Sequence, residues 1–168
     1  MAQLCRDMGS YGFWKALWNA GFRELFICHG NICRSAAAEV VLKQMARERG
    51  GAQPAVASMA ATRDEIGNDI YPPMKRVLQV RGYWCPHHSA QQTVRADYDE
   101  WDYIIGMDRE NLRDMLRIYG GDPRGKLSLL LDWCGKTGQE IDDPWYTRDF
   151  GKALDQIEEG CRGLLAAL

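Results

Sequence analysis

Two cysteines, an arginine and a serine fall within the eight residues Cys28 to Ser35, CHGNICRS, directly after the apolar run LFI and before an alanine-rich, helix-like segment. Five residues separate Cys28 from Arg34. A loop entering a helix offers unpaired backbone N–H groups and the positive end of the helix dipole, which together hold an anion. Gly30 and Asn31 are residue types that tolerate left-handed backbone, which lets successive N–H groups turn inward as a concave nest. Arg34 adds a planar fork for two oxygens of the same anion. A thiol at the centre of that field is favoured as thiolate, the nucleophilic form. Cys28 is therefore read as a nucleophile facing a phosphate-like group. A lone cysteine after a strand is ordinarily core; the C-x5-R spacing with a serine behind it argues for chemistry.

The elements that must position this loop are marked by periodicity and breakers. Glu24 to Cys28 reads as a short buried strand, and the run from Ser35 to Gly50 as a helix with Ala38, Val41, Leu42 and Met45 on one stripe. Ala55 to Ser58 reads as a second strand, followed, after the turn around Gly67 and Tyr71 to Pro73, by a helix from Pro73 to Gly82. Trp101 to Met107 is the third strand, and its helix is capped by Asp108 and closed by Gly120. Lys126 to Leu131 is the fourth. Phe150, Leu154, Ile157, Cys161, Leu164 and Leu168 repeat at helical spacing and define a last helix packed on the sheet. Strands alternating with helices predict one α/β domain, a four-stranded parallel sheet with helices on both faces. Such sheets bind ligands beyond the carboxyl ends of their strands, where Cys28 falls.

Composition agrees with a single domain: 168 residues, 46% hydrophobic and 26% charged, are enough for one well-formed core. Lys and Arg total 21 against 23 Asp and Glu, a net charge of -2, so no basic excess points to a nucleic-acid partner. Six scattered cysteines in a chain of this size read as free thiols of a reducing, cytoplasmic compartment. Residues 1–22 read as an N-terminal extension before a domain of 23–168; Arg6, Asp7 and Lys15 interrupt it too often for a signal peptide. Phe13, Trp14, Leu17 and Trp18 at helical spacing suggest a docked helix there, or a partner-binding one. No run is apolar enough to span a membrane.

CHGNICRS followed by AE closely resembles the phosphate-binding loop of the low-molecular-weight protein tyrosine phosphatases, and the resemblance continues from Leu25 through nearly the whole chain. It implies a cysteinyl-phosphate mechanism with Cys28 as nucleophile, Arg34 on the phosphate, and the loop residues His29, Gly30, Asn31, Ile32, Cys33 and Ser35 around it. It further implies loop support from Asn31, Ser35, Ser58 and His88, and a general acid in the DPWY motif, Asp143, with Trp145 and Tyr146 walling the pocket beside Ile32. Asp142 is expected to point away. The implied partner is a phosphotyrosine-containing protein, a tyrosine kinase being one such substrate, with phosphate or vanadate as competing ligands. Two departures stand out: Ala36 where the family usually has Pro, and Gln91 where Arg is usual three residues after the supporting His.

Other chemistries are weaker. The GKT at Gly135 to Thr137 lacks the Gly that a nucleotide P-loop needs at position 130, which is Leu. Cys85, His87 and His88 lack metal-ligand spacing and Pro86 breaks any helical presentation, so neither metal nor cofactor is expected. Arsenate reduction on this fold needs two more cysteines close in sequence, and Cys85 stands alone before Cys134. In the phosphoarginine-specific branch of the family it resembles, the residue before the second loop cysteine is Thr, whereas Ile32 stands here. A non-catalytic phosphoanion-binding adaptor would not need Cys28, Arg34 and Asp143 together. Cys33, five residues from Cys28 on the same curled loop, is expected to make the thiolate reversibly redox-sensitive by capturing its sulfenic acid.

Overall fold

The computed structural model describes residues 21–168; the helix anticipated around Phe13 to Trp18 lies outside them. The strands are β1 (Arg23–Cys28), β2 (Ala55–Ala60), β3 (Tyr103–Gly106) and β4 (Leu127–Leu129). They form one sheet in the order β2-β1-β3-β4, with every pairing parallel. The helices are α1 (Arg34–Arg49), α2 (Pro72–Val80), α3 (Asp97–Glu100), α4 (Arg109–Tyr119), α5 (Pro144–Thr147) and α6 (Phe150–Ala167). The expected architecture is present.

β1 lies between two neighbours and is covered on both faces, which is why its residues from Leu25 to Cys28 are apolar without alternation. Leu25 and Ile27 pack with Ile104, Met115 and Tyr119 on one side. Phe26 and Cys28 face the larger core built by α1, α2 and α6, with Leu42, Met74, Leu78, Leu154, Ile157 and Leu164. The stripes read on the first and last helices are buried as expected, with Met45 and Phe150 partly covered at their margins.

Element ends differ from the periodicity in places, each for a local reason. β2 runs on to Ala60, because Met59 and Ala60 still pair with Ile27 and Cys28. β4 stops at Leu129, two residues early: the Asp132 carboxylate accepts the Leu129 N–H, at 2.9 Å, and starts a 3-10 turn over Leu130–Cys134. β3 is shorter than Trp101 to Met107 because the Asn111 amide oxygen accepts the Met107 N–H. α2 starts at Pro72, one residue before the expected Pro73, since proline has no N–H to lose in a first turn. α4 has both ends as read, an Asp108 cap and a left-handed Gly120. α6 lies so close to the 3-10 turn that a Cβ on Gly163 would sit 2.5 Å from the Trp133 carbonyl oxygen.

One buried residue of β1 is not apolar. Glu24 is fully buried, and among the described residues neither carboxyl oxygen has a hydrogen-bond partner. Burial, reinforced by the charge of Asp102, pushes its carboxyl up to about 8 from 4.5. Its protonated form is therefore favoured by the fold, and this contribution is fully present below the unfolded value and lost as pH rises towards 8. Glu24→Gln removes the titration while keeping the shape. As pH rises from about 5 towards 8, the stability of wild type relative to Glu24→Gln should fall steadily. Denaturant unfolding of both proteins across that range checks it; parallel curves would place Glu24 in contact with water.

Candidate active site

The loop from Cys28 to Arg34 is shaped by what holds its carbonyls. The Cys28 carbonyl accepts from Ala61 N–H at 2.9 Å, that of His29 from Thr62 N–H at 3.1 Å, and that of Ile32 from Tyr71 N–H at 2.7 Å. The Asn31 carbonyl accepts from His88 Nε2 at 2.7 Å, which fixes the proton on that ring nitrogen. The Cys33 carbonyl accepts from Ala37 N–H at 2.9 Å, opening α1. In a trans peptide the following N–H points opposite to the carbonyl. Tying these carbonyls outward therefore leaves the N–H groups of His29, Gly30, Ile32, Cys33 and Arg34 facing into the loop.

Asn31 turns the loop at φ 60°, in the left-handed region. Its buried amide is fully used: Nδ2 donates to Ser35 Oγ at 3.0 Å and to Ser58 Oγ at 2.8 Å, and Oδ1 accepts from the Gln91 backbone N–H at 3.2 Å. At position 91 the loop is thus supported by the backbone, whatever the side chain. Ser58 Oγ donates in turn to Glu39 Oε2 at 2.5 Å. Because Ser35 Oγ accepts from Asn31, its hydroxyl hydrogen is free for Cys28 Sγ, 3.0 Å away. His88 is held in turn by Asp69, which accepts its backbone N–H at 3.0 Å. Burial would raise the Asp69 carboxyl, but Lys75 and the N–H groups of His88 and Ile70 bring it down to about 2.

Arg34 is 2% exposed and lies between two carboxylates. Nη1 donates to Asp108 Oδ2 at 2.6 Å and to the Ile141 carbonyl at 3.2 Å; Nη2 donates to Asp143 Oδ2 at 2.9 Å. Burial alone would lower the guanidinium, yet Cys28, Asp143 and Asp108 outweigh it and hold Arg34 above its ordinary range. Asp143 also caps α5 by accepting the Trp145 N–H at 3.0 Å. Asp142 turns away as expected, to Lys152 Nζ at 2.6 Å. Burial, then the neighbouring Cys28, push the Cys33 thiol well above the usual thiol range.

These groups line a cavity of about 300 Å³ whose wall includes Cys28, Ile32, Arg34, Asp143, Trp145 and Tyr146. Trp145 and Tyr146 are the exposed lip, and Tyr71 stands between Trp145 and Phe150, with ring centroids 5.8 Å from each. The structure brings together every anticipated site residue, with Ser58 and His88 behind the loop rather than in the cavity. It also adds residues whose role here has no local sequence signature. Asp108 has the pattern of a helix cap alone, although its place just beyond β3, next to β1, is a signal. Glu39 stands in the AE that follows the loop with nothing further to mark it. Tyr71 belongs to a turn pattern, and the mouth residues Asp64, Glu65 and Glu110 share no pattern. Among the described residues no cluster could hold a metal ion, and no helix is long and apolar enough to cross a membrane.

Comparison with known proteins identifies the family to which this fold belongs. The family model described as low molecular weight phosphotyrosine protein phosphatase matches residues 23–168. The chain is 32% identical over 146 residues to the low molecular weight protein-tyrosine-phosphatase YfkJ of Bacillus subtilis, covering 86% of this chain and 94% of that one. It is 33% identical to low molecular weight phosphotyrosine protein phosphatase 1 of Drosophila melanogaster, covering 85% and 94%. The crystal structure of YfkJ superposes with a TM-score of 0.82 at 31% identity, covering 87% of this chain and 93% of that one. That of Wzb from Vibrio vulnificus, in complex with benzylphosphonate, gives 0.77 at 27% identity and covers 88% and 100%. With the match extending over all but the first two described residues, the chain belongs to the low molecular weight phosphotyrosine protein phosphatases.

Proposed function

We propose that the protein hydrolyses phosphotyrosine in proteins, and small aryl phosphates, through a phosphate held covalently on Cys28, with Arg34 binding the phosphoryl oxygens and Asp143 as acid and base. The observation that carries this reading is the convergence of the Cys28 sulfur, the inward N–H groups, the Arg34 fork and the Asp143 carboxyl on one small cavity.

The chemistry follows from those positions. The Ser35 hydroxyl directed at Cys28 Sγ binds a thiolate more strongly than a thiol. The thiolate attacks phosphorus as the bond to the phenolic oxygen breaks, and protonated Asp143 gives its proton to that oxygen. Water then attacks the cysteinyl phosphate, Asp143 takes back a proton, and phosphate leaves with the thiolate restored. The three equatorial oxygens stay on the N–H groups and Arg34 throughout, donors already in place before reaction. Asp143 lies against the Arg34 guanidinium, 2.9 Å from Nη2, so the proposed acid and the phosphate-binding fork share one place in the cavity.

The wall favours a flat ring. Ile32 is apolar where a guanidinium would want a hydrogen-bonding partner, and Trp145 and Tyr71 add aromatic faces. The benzylphosphonate held by Wzb is a ligand of this shape. Cys33 is assigned a protective role: peroxide oxidises the Cys28 thiolate to a sulfenic acid, and Cys33, which must give up the proton that burial holds on it, attacks that sulfur as thiolate, the displaced hydroxide leaving with that proton as water and a disulfide remaining.

Rapid quench of the enzyme with labelled aryl phosphate should trap phosphate on the protein, and Cys28→Ser should trap none while still binding vanadate. Failure to trap any in wild type would remove the covalent step. Asp143→Asn should slow substrates with poor leaving groups by about a hundredfold and activated ones far less, whereas Asp142→Asn should be nearly silent; equal losses across the series would reassign the acid. After peroxide, thiol reductant should restore wild type but not Cys33→Ser, and mass spectrometry should find a Cys28 to Cys33 linkage. Equal recovery without that linkage would leave Cys33 a packing residue.

A further inference from the structure

The mouth of the cavity is charged oppositely to its floor. Asp64 and Glu65 stand on one side, in the turn that follows β2, and Glu110 on the other, in the first turn of α4 that follows β3. Since β2 and β3 are the two neighbours of β1, these carboxylates flank the loop at the end of β1 from both sides. They are not balanced locally. Glu110 has no ion-pair partner among the described residues, and Glu65 has only the Asn68 amide, at 2.6 Å. Asp64 is 2.9 Å from His29 Nε2, a partner that carries charge only when protonated. Among the described residues Arg34 is the sole arginine or lysine lining the cavity, and it lies beneath the mouth, already held by Asp108 and Asp143.

That arrangement suits one kind of substrate. A phosphate dianion is drawn to the buried N–H groups and Arg34, but whatever flanks it must pass three carboxylates in water. Acidic flanks are repelled there and cationic flanks attracted. Resting on the tyrosine phosphatase reading above, we propose that the mouth selects phosphotyrosine flanked by lysine or arginine, with Asp64 and Glu110 as the specificity-determining residues. Glu65 is the less adaptable of the three, since its Cγ would lie 3.0 Å from a Cβ on Gly30 and its carboxylate is tied to Asn68. A competing arrangement exists nearby. An adjoining groove shares Ile32, Glu65 and Tyr71 and carries Arg76, while Arg148 lies over the Trp145 ring at 5.4 Å. If those cations governed recognition, acidic flanks would win instead.

The test uses three phosphotyrosine peptides identical except for lysine, alanine or glutamate at the flanking positions, with p-nitrophenyl phosphate as a flank-free substrate. At low ionic strength kcat/KM for the lysine peptide should exceed that for the alanine peptide by roughly fivefold, with the glutamate peptide below both. The spread should narrow at high salt and should appear mainly in KM. In Asp64→Asn combined with Glu110→Gln, the lysine-to-alanine ratio should approach one. Equal kcat/KM for the three peptides, or preference for glutamate, overturns the proposal while leaving the phosphatase reading intact. Inert peptides and inert p-nitrophenyl phosphate together would overturn the phosphatase reading and this proposal with it.

Discussion

A planar trans peptide cannot aim its carbonyl and the next N–H the same way, and the whole site depends on that constraint. Ala61, Thr62, Tyr71, His88 and Ala37 each hold a loop carbonyl on the outside. These donors come from the exit of β2, the start of α2, a loop packed by Asp69, and the first turn of α1. The anion nest is therefore a product of tertiary structure, assembled from several segments. The eight residues that look like a motif would not hold this shape alone. Asn31 is the point at which the requirement is most severe, because it must adopt left-handed backbone and spend three side-chain hydrogen bonds in the same place.

The sheet order explains why those donors are available. β1 sits between β2 and β3, so the segments leaving both neighbours pass close to the end of β1. The exit of β2 supplies Ala61 and Thr62 to the loop, and the exit of β3 supplies Asp108 to Arg34. A guanidinium buried this deeply would be costly alone; two carboxylates and the Ile141 carbonyl offset its desolvation.

Much of this was legible in the sequence because it is written in local signals. Hydrophobic periodicity located all four strands and the main helices, and the spacing of Cys28, Arg34 and Ser35 located the loop. Resemblance, rather than residue chemistry, pointed to Ser58, His88 and Asp143, which lie 27, 57 and 109 positions from their partners in the loop. What stayed hidden was decided by contacts with no local pattern. Asp108 carries a helix cap and a guanidinium on different oxygens, and only the first of these has a sequence signature. The strand ends moved because Asp132 and Asn111 took N–H groups that apolar periodicity alone would assign to the sheet. Glu24 sits in an apolar run, and nothing in its neighbours announces that it is dry.

On the role proposed for Arg34, its pairing with Asp143 makes the cavity an ion exchanger. A dianion then has to displace a carboxylate already in residence, so its affinity is the difference between two ion pairs sharing one guanidinium. On that reading much of the intrinsic attraction is cancelled in advance, for a released phosphate as for a substrate.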